Sequence, residues 1–267
     1  MDYINRLQND PATEPHLAFL SVHGYTQNGV NPGGNRDQMA DYYDRIDEFG
    51  KQSWQTEASG FGPSEWLASN GDGAIWISRA IHEGLVYGNH NAWLYWQMTN
   101  GDTSPTQREA LTSVSGGVVD TDNPKYAAAK HYFKFIRPDS VRIEAGIDDV
   151  TGINISAYLN EEDQTLTIVI LNMGTSDEFI DLVLPAGMDL SQFEMYRTNN
   201  NETFATLSPL LVNGSTASFN MLGSSIVTLY GHYTALVPEP ASALLLVVAG
   251  GAALMCRRGK MRGRDLH

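Results

Sequence analysis

Ala80-Ile-His-Glu-Gly-Leu-Val-Tyr87-Gly88-Asn-His-Asn-Ala92-Trp-Leu-Tyr-Trp96-Gln97 contains a helix, its stop signal and a strand in immediate succession. Ile75, Ile77, Ala80, Ile81 and Leu85 recur at helical spacing, which predicts a helix over 72–87 that Gly88 ends. The apolar run 92–98 then predicts a strand. The same alternation extends upstream. Residues 17–23 are a short apolar run of the kind buried in parallel sheets, and 51–57 are a second one. Between them, 37–49 place Met39, Tyr42, Tyr43 and Ile46 on one side of a helix. Residues 124–136 read as a last amphipathic helix, ended ahead of Pro138. Strand, helix, strand, helix, strand is the signature of β/α units on a parallel sheet.

Beyond Pro138 the period drops to two. Segments starting at Val141, Ile153, Thr165, Phe179, Phe193 and Ser225 are strand-like, with turn signals such as Met173-Gly174 and Asn213-Gly214 between them. Short strands at close spacing predict an antiparallel β-sandwich over 139–234. Its core should include Ile155, Leu166, Ile168, Ile170, Leu182 and Val227, the inward positions of the alternation.

Charge narrows the function. The chain has 17 Lys and Arg against 31 Asp and Glu, a net charge of -14. Five of the basic residues follow Cys256, so the body is more acidic still. Such a body repels phosphate backbones, which argues against nucleic-acid binding and leaves neutral partners such as carbohydrates open. Cys256 is the single cysteine, so no disulfide framework is expected. His82, Glu83 and His90 lack metalloprotease spacing, and neither a metal nor a cofactor is expected.

The tail has its own logic. After a linker at 235–240, residues 241–256 carry no charge, and Arg257-Arg258 follow. An apolar C-terminal helix is expected over 241–267, with its basic end held in the cytoplasm. Val237-Pro-Glu-Pro240, the apolar run and the arginines resemble the PEP-CTERM sorting signal. That resemblance implies exosortase as a partner and transient insertion in the inner membrane. It also implies export to the envelope or extracellular matrix of a Gram-negative bacterium. Residues 1–6 lack the basic and apolar regions of a signal peptide, so a longer N-terminus is expected.

The candidate chemistry sits at strand ends. Glu57 follows an apolar strand, where a parallel barrel keeps its catalytic groups. The preceding strand ends in His23-Gly-Tyr25, and the following one carries Trp93, Trp96 and Gln97. Carboxylates beside aromatic platforms suit sugars, which present apolar faces edged by hydroxyls. These segments, with Trp54-Gln-Thr-Glu57 and 125–138, resemble glycoside hydrolase family 30 over roughly residues 15–232. The resemblance implies residues 1–138 as strands six to eight of a β/α barrel, with the sandwich as side domain. It implies Glu57 as nucleophile of a retaining reaction and His23, Tyr25, Trp54, Trp93, Trp96 and Gln97 as substrate contacts. The substrate would be a β-linked polysaccharide of the xylan, β-1,6-glucan or β-1,6-galactan class. The family's acid/base glutamate belongs to an earlier strand, so this chain alone is expected to be inactive. The alternative is a non-catalytic carbohydrate-binding or surface-anchored sandwich protein.

Overall fold

The computed structural model describes residues 2–24, 36–60, 65–67, 73–99, 109–148, 152–234 and 245–249. Helix α1 (Asp2–Gln8) leads into β1 (Phe19–His23), α2 (Arg36–Glu48), β2 (Gln52–Glu57), α3 (Ile75–Val86) and β3 (Ala92–Trp93). The three strands form one parallel sheet in the order β1-β2-β3. Strand β3 is shorter than the expected 92–98, because beyond Trp93 the chain turns to pair Gln97 and Met98 with 109–112. A small hairpin of β4 (Val114–Ser115) and β5 (Val118–Val119) precedes α4 (Pro124–Phe133). Asn123 caps α4 by accepting from the Lys125 amide at 2.9 Å, with Pro124 in the first turn.

Alternation along β1 separates two faces. Leu20 and Val22 are buried against Met39, Tyr42 and Ile46 of α2 and Ile4 of α1. Phe19, Ser21 and His23 face the open side of the sheet. Among the described residues β1 pairs only with β2, and β3 pairs only with β2. Three parallel strands do not close a barrel.

The second half is a sandwich. It comprises β6 (Val141–Asp148), β7 (Ile153–Asn160), β8 (Thr165–Asn172), β9 (Glu178–Val183), β10 (Gln192–Asn199), β11 (Glu202–Thr206), β12 (Leu210–Leu211), β13 (Thr216–Met221) and β14 (Ser225–His232). The first half of β6 pairs with β7 and continues the sheet β11-β10-β14-β8-β7. Its second half crosses to the facing layer, which holds β9 and β13. All six residues expected in the core are buried in one cluster there, with Phe193 and Leu229. Strands β11, β12 and β13 are not among the segments expected from the sequence: β11 and β12 are exposed or half-buried and lack a clear alternation, whereas β13 does alternate, burying Ala217, Phe219 and Met221.

Strand β8 is buried at every position. Leu166, Ile168 and Ile170 fill the sandwich core, while Val169 and Leu171 face the helices. Helices α3 and α4 therefore lie between two sheets. Ile77, Ala80 and Ile81 of α3 and Ala128, Ala129 and Tyr132 of α4 share one cluster with Ala58 and Trp93 on one side and Val169, Leu171 and Ile226 on the other. The run of small residues in α4 permits this close approach on several faces. Polar pins cross the same interface: Trp66 Nε1 donates to the Ser224 carbonyl at 2.6 Å, and His131 bridges Thr228 and Thr198 at 2.7 and 2.9 Å.

The tail departs from expectation. In place of an apolar helix, residues 245–249 form a strand, β15 (Leu245–Ala249), parallel to β6 and antiparallel to β9. A short apolar run containing adjacent β-branched residues is helix or strand according to context. Here the edges of β6 and β9 supply backbone partners on both sides. The linker 235–240 and the rest of the tail lie outside the described residues. Among the described residues no helix is long and apolar enough to cross a membrane.

Candidate active site

The three parallel strands deliver their carboxyl ends to one rim. The Gly24 amide donates to the Glu57 carbonyl at 2.6 Å, and the Trp96 amide donates to the Ala58 carbonyl at 2.8 Å. A register irregularity between Val22 and His23 sets His23 opposite Glu57. The two side chains meet there, His23 Nδ1 lying 3.8 Å from Glu57 Oε1. Their side chains are 45% and 28% exposed, so the pair is open to a ligand while held by its neighbours. The bend at Gly24 is tight: a Cβ there would stand 2.4 Å from Gln55 Nε2, so that a side chain would have to displace the Gln55 amide.

Trp96 rises beside them with half its surface exposed. Its neighbours Leu94 and Met98 are exposed as well. Gln97 is half-buried, its backbone tied to Glu109 and Leu111. Lower on the open face, Trp54 stacks on Phe19 with ring centroids 3.9 Å apart and planes 11° apart. Phe19 read in the sequence only as part of an apolar run. Its position opposite Gln52, two residues from Trp54 and so on the same face, was the available signal, and it required the register. Tyr25 lies outside the described residues.

Trp93 is the exception. Opposite Gln55 on the helix side of the sheet, it is buried near Tyr95 and Phe133, with centroids 6.3 and 6.1 Å away. It also packs over Gly84, where a Cβ would come within 2.9 Å of the indole. Strand alternation turns Trp93 away from the cleft that it was expected to line. Among the described residues no group of three or more His, Cys, Asp or Glu could hold a metal ion.

A carboxylate at the end of a parallel strand, a histidine against it and an exposed indole just past the next strand can bind and attack a sugar. Solved structures share this arrangement of elements. The GH30 endoxylanase of Clostridium papyrosolvens C71 superposes with a TM-score of 0.68 at 23% identity, over 85% of this chain and 52% of its own. The fold is that of family 30 xylanases. A second, the xylanase Xyn30A of Clostridium acetobutylicum, gives 0.63 at 19% identity, over 85% and 52% of the two chains. The endo-β-1,6-glucanase BT3312 gives 0.52 at 17% identity, over 87% and 45%. In sequence, the chain is 25% identical over 221 residues to the glucuronoxylanase XynC of Bacillus subtilis, covering 82% of this chain and 47% of that enzyme. The chain thus spans about half the length of the curated relatives it matches. No family model matches it.

Proposed function

We propose that this chain carries the nucleophile of a retaining glycoside hydrolase that cuts a β-linked polysaccharide. The observation that carries the reading is the Glu57 carboxylate at the rim, 3.8 Å from His23 Nδ1, with the exposed Trp96 tied by its amide to the next residue, Ala58. In double displacement Glu57 attacks the anomeric carbon while an acid protonates the departing glycosidic oxygen. Water then releases the sugar from Glu57, with the same acid now acting as base. That second carboxyl stands about 5 Å from the nucleophile in retaining enzymes. In this reading it comes from an earlier strand of a longer barrel. Xylan and β-1,6-glucan are favoured as substrates by the named activities of the structural relatives, with β-1,6-galactan the third of the class.

The test is direct. The 267-residue chain alone, assayed on xylan, β-1,6-glucan and aryl β-glycosides, should show no hydrolysis. General acid catalysis alone typically contributes about 10²–10⁴-fold, and an open sheet adds loss of positioning. Robust hydrolysis that vanishes in Glu57→Gln would place the acid within these residues and refute the two-part site.

Export through the tail belongs to the same proposal, supported by Val237-Pro-Glu-Pro240, the uncharged run and Arg257-Arg258. Mass spectrometry of the protein produced in an exosortase-bearing Gram-negative host should find a mature C-terminus ahead of the apolar run. An intact C-terminus at His267 would remove the sorting role.

A further inference from the structure

We propose that the cavity where the parallel sheet meets the sandwich binds a sugar acid, a hydroxylated carboxylate of hexuronate size. The cavity measures about 630 Å³, within the range of small-molecule sites. It lies at the other end of β2 from Glu57. The Asn91 amide donates to the Ser53 carbonyl at the start of that strand, on the order of 13 Å from its last residue. The site is therefore separate from the proposed catalytic cleft and does not rest on it.

Charge identifies the ligand. In a chain of net charge -14, Arg137 and Arg142 both line this one cavity. Among the described residues neither guanidinium forms an ion pair. Asp139 is the single carboxylate among the lining residues, so the wall carries an excess of one positive charge. A guanidinium fork matches a carboxylate in two parallel hydrogen bonds. The neutral part of the wall suits hydroxyls. Asn89 and Asn91 present amides that both donate and accept, and Arg142 Nη2 already ties to Asn89 Oδ1 at 3.2 Å, joining the two sides. His90 also borders the cavity, with its ring anchored by Nδ1 to Ser53 Oγ at 2.6 Å.

The experiment is calorimetric titration of the full 267-residue chain at low salt with sodium D-glucuronate, D-glucose and sodium acetate. Saturable glucuronate binding is expected, about tenfold or more tighter than either control. Arg137→Ala and Arg142→Ala should each weaken it by about tenfold or more, the scale of one charge-assisted hydrogen bond. Both side chains are exposed, so the variants should fold as the parent does. Asp139→Asn should tighten binding by removing the opposing charge, and Asn suits the positive φ of 66° at that position. Absence of saturable glucuronate binding, or binding indifferent to both arginines, overturns the site. Equal binding of acetate or glucose overturns the sugar-acid assignment. Glu57→Gln should leave glucuronate binding unchanged; its loss would put the ligand in the cleft and overturn the separate site.

Discussion

Replacing Glu57 with Gln is expected to lower kcat on a β-linked glycan by on the order of 10³-fold or more in the longer enzyme. An amide matches the carboxylate in shape but cannot supply the electron pair that attacks the anomeric carbon. KM should change much less, because His23 and Trp96 remain in place and the side chain is only 28% exposed in a formed rim. The split between kcat and KM separates a nucleophile from a group that merely supports the fold. A mechanism-based fluorosugar should label Glu57 in the parent. Turnover near the parent rate in the variant, or a label on another residue, would remove Glu57 from the reaction.

Stability should fall as the pH drops from 6.5 toward 5, before the ordinary carboxylates titrate. Burial holds three histidines neutral in the folded chain: His82 at about 3, His90 at about 4 and His131 at about 3, against an ordinary value of 6.5. For His82 and His131 the nearby cations Arg142, Arg79 and Lys130 push in the same direction. In this window the unfolded chain takes up protons that the folded chain refuses. The stabilisation is therefore complete above 6.5 and declines below it, by about 1.4 kcal/mol per pH unit for each histidine. Glu83 acts in the opposite sense nearer the carboxylate range, since burial raises its pKa against the pull of Arg79. His131 shows why the neutral ring is preferred. The Thr228 hydroxyl donates to the His131 carbonyl, leaving its oxygen to accept from Nδ1–H. Nε2 can then accept from Thr198, whose oxygen also accepts from the Phe204 amide. Thermal unfolding midpoints at pH 7.5 and pH 5 should differ by many degrees, and His131→Gln should flatten the dependence. A midpoint unchanged across that interval would contradict the burial of all three rings.

The two halves were legible because each carries its own period. Helical spacing from Ile75 to Leu85 and alternation from Ile153 to Leu171 are direct consequences of where apolar side chains must point. The rim residues were legible for a related reason: a polar or aromatic residue closing an apolar strand has only the strand end to occupy. Trp93 was not, because in the apolar run 92–98 sequence alone does not say which residue is first in the strand. A shift of one residue moves every side chain to the other face. The described part of the tail escaped in the same way. Residues 245–249 are apolar in either conformation, and the free edges of β6 and β9 made them a strand.

What the sequence by itself determined is local: the β/α units, most of the sandwich strands with their core, and a histidine and a carboxylate at two strand ends. Tertiary structure decided what depends on residues far apart in the chain. The register irregularity at His23 brought its ring to Glu57, and the packing of α3 and α4 between two sheets buried β8 on both faces. The turn after Ile136 gathered Arg137 and Arg142 beside Asn89. No local pattern encodes these meetings, because each is fixed by which surfaces bury together and not by the order of residues along one strand or helix.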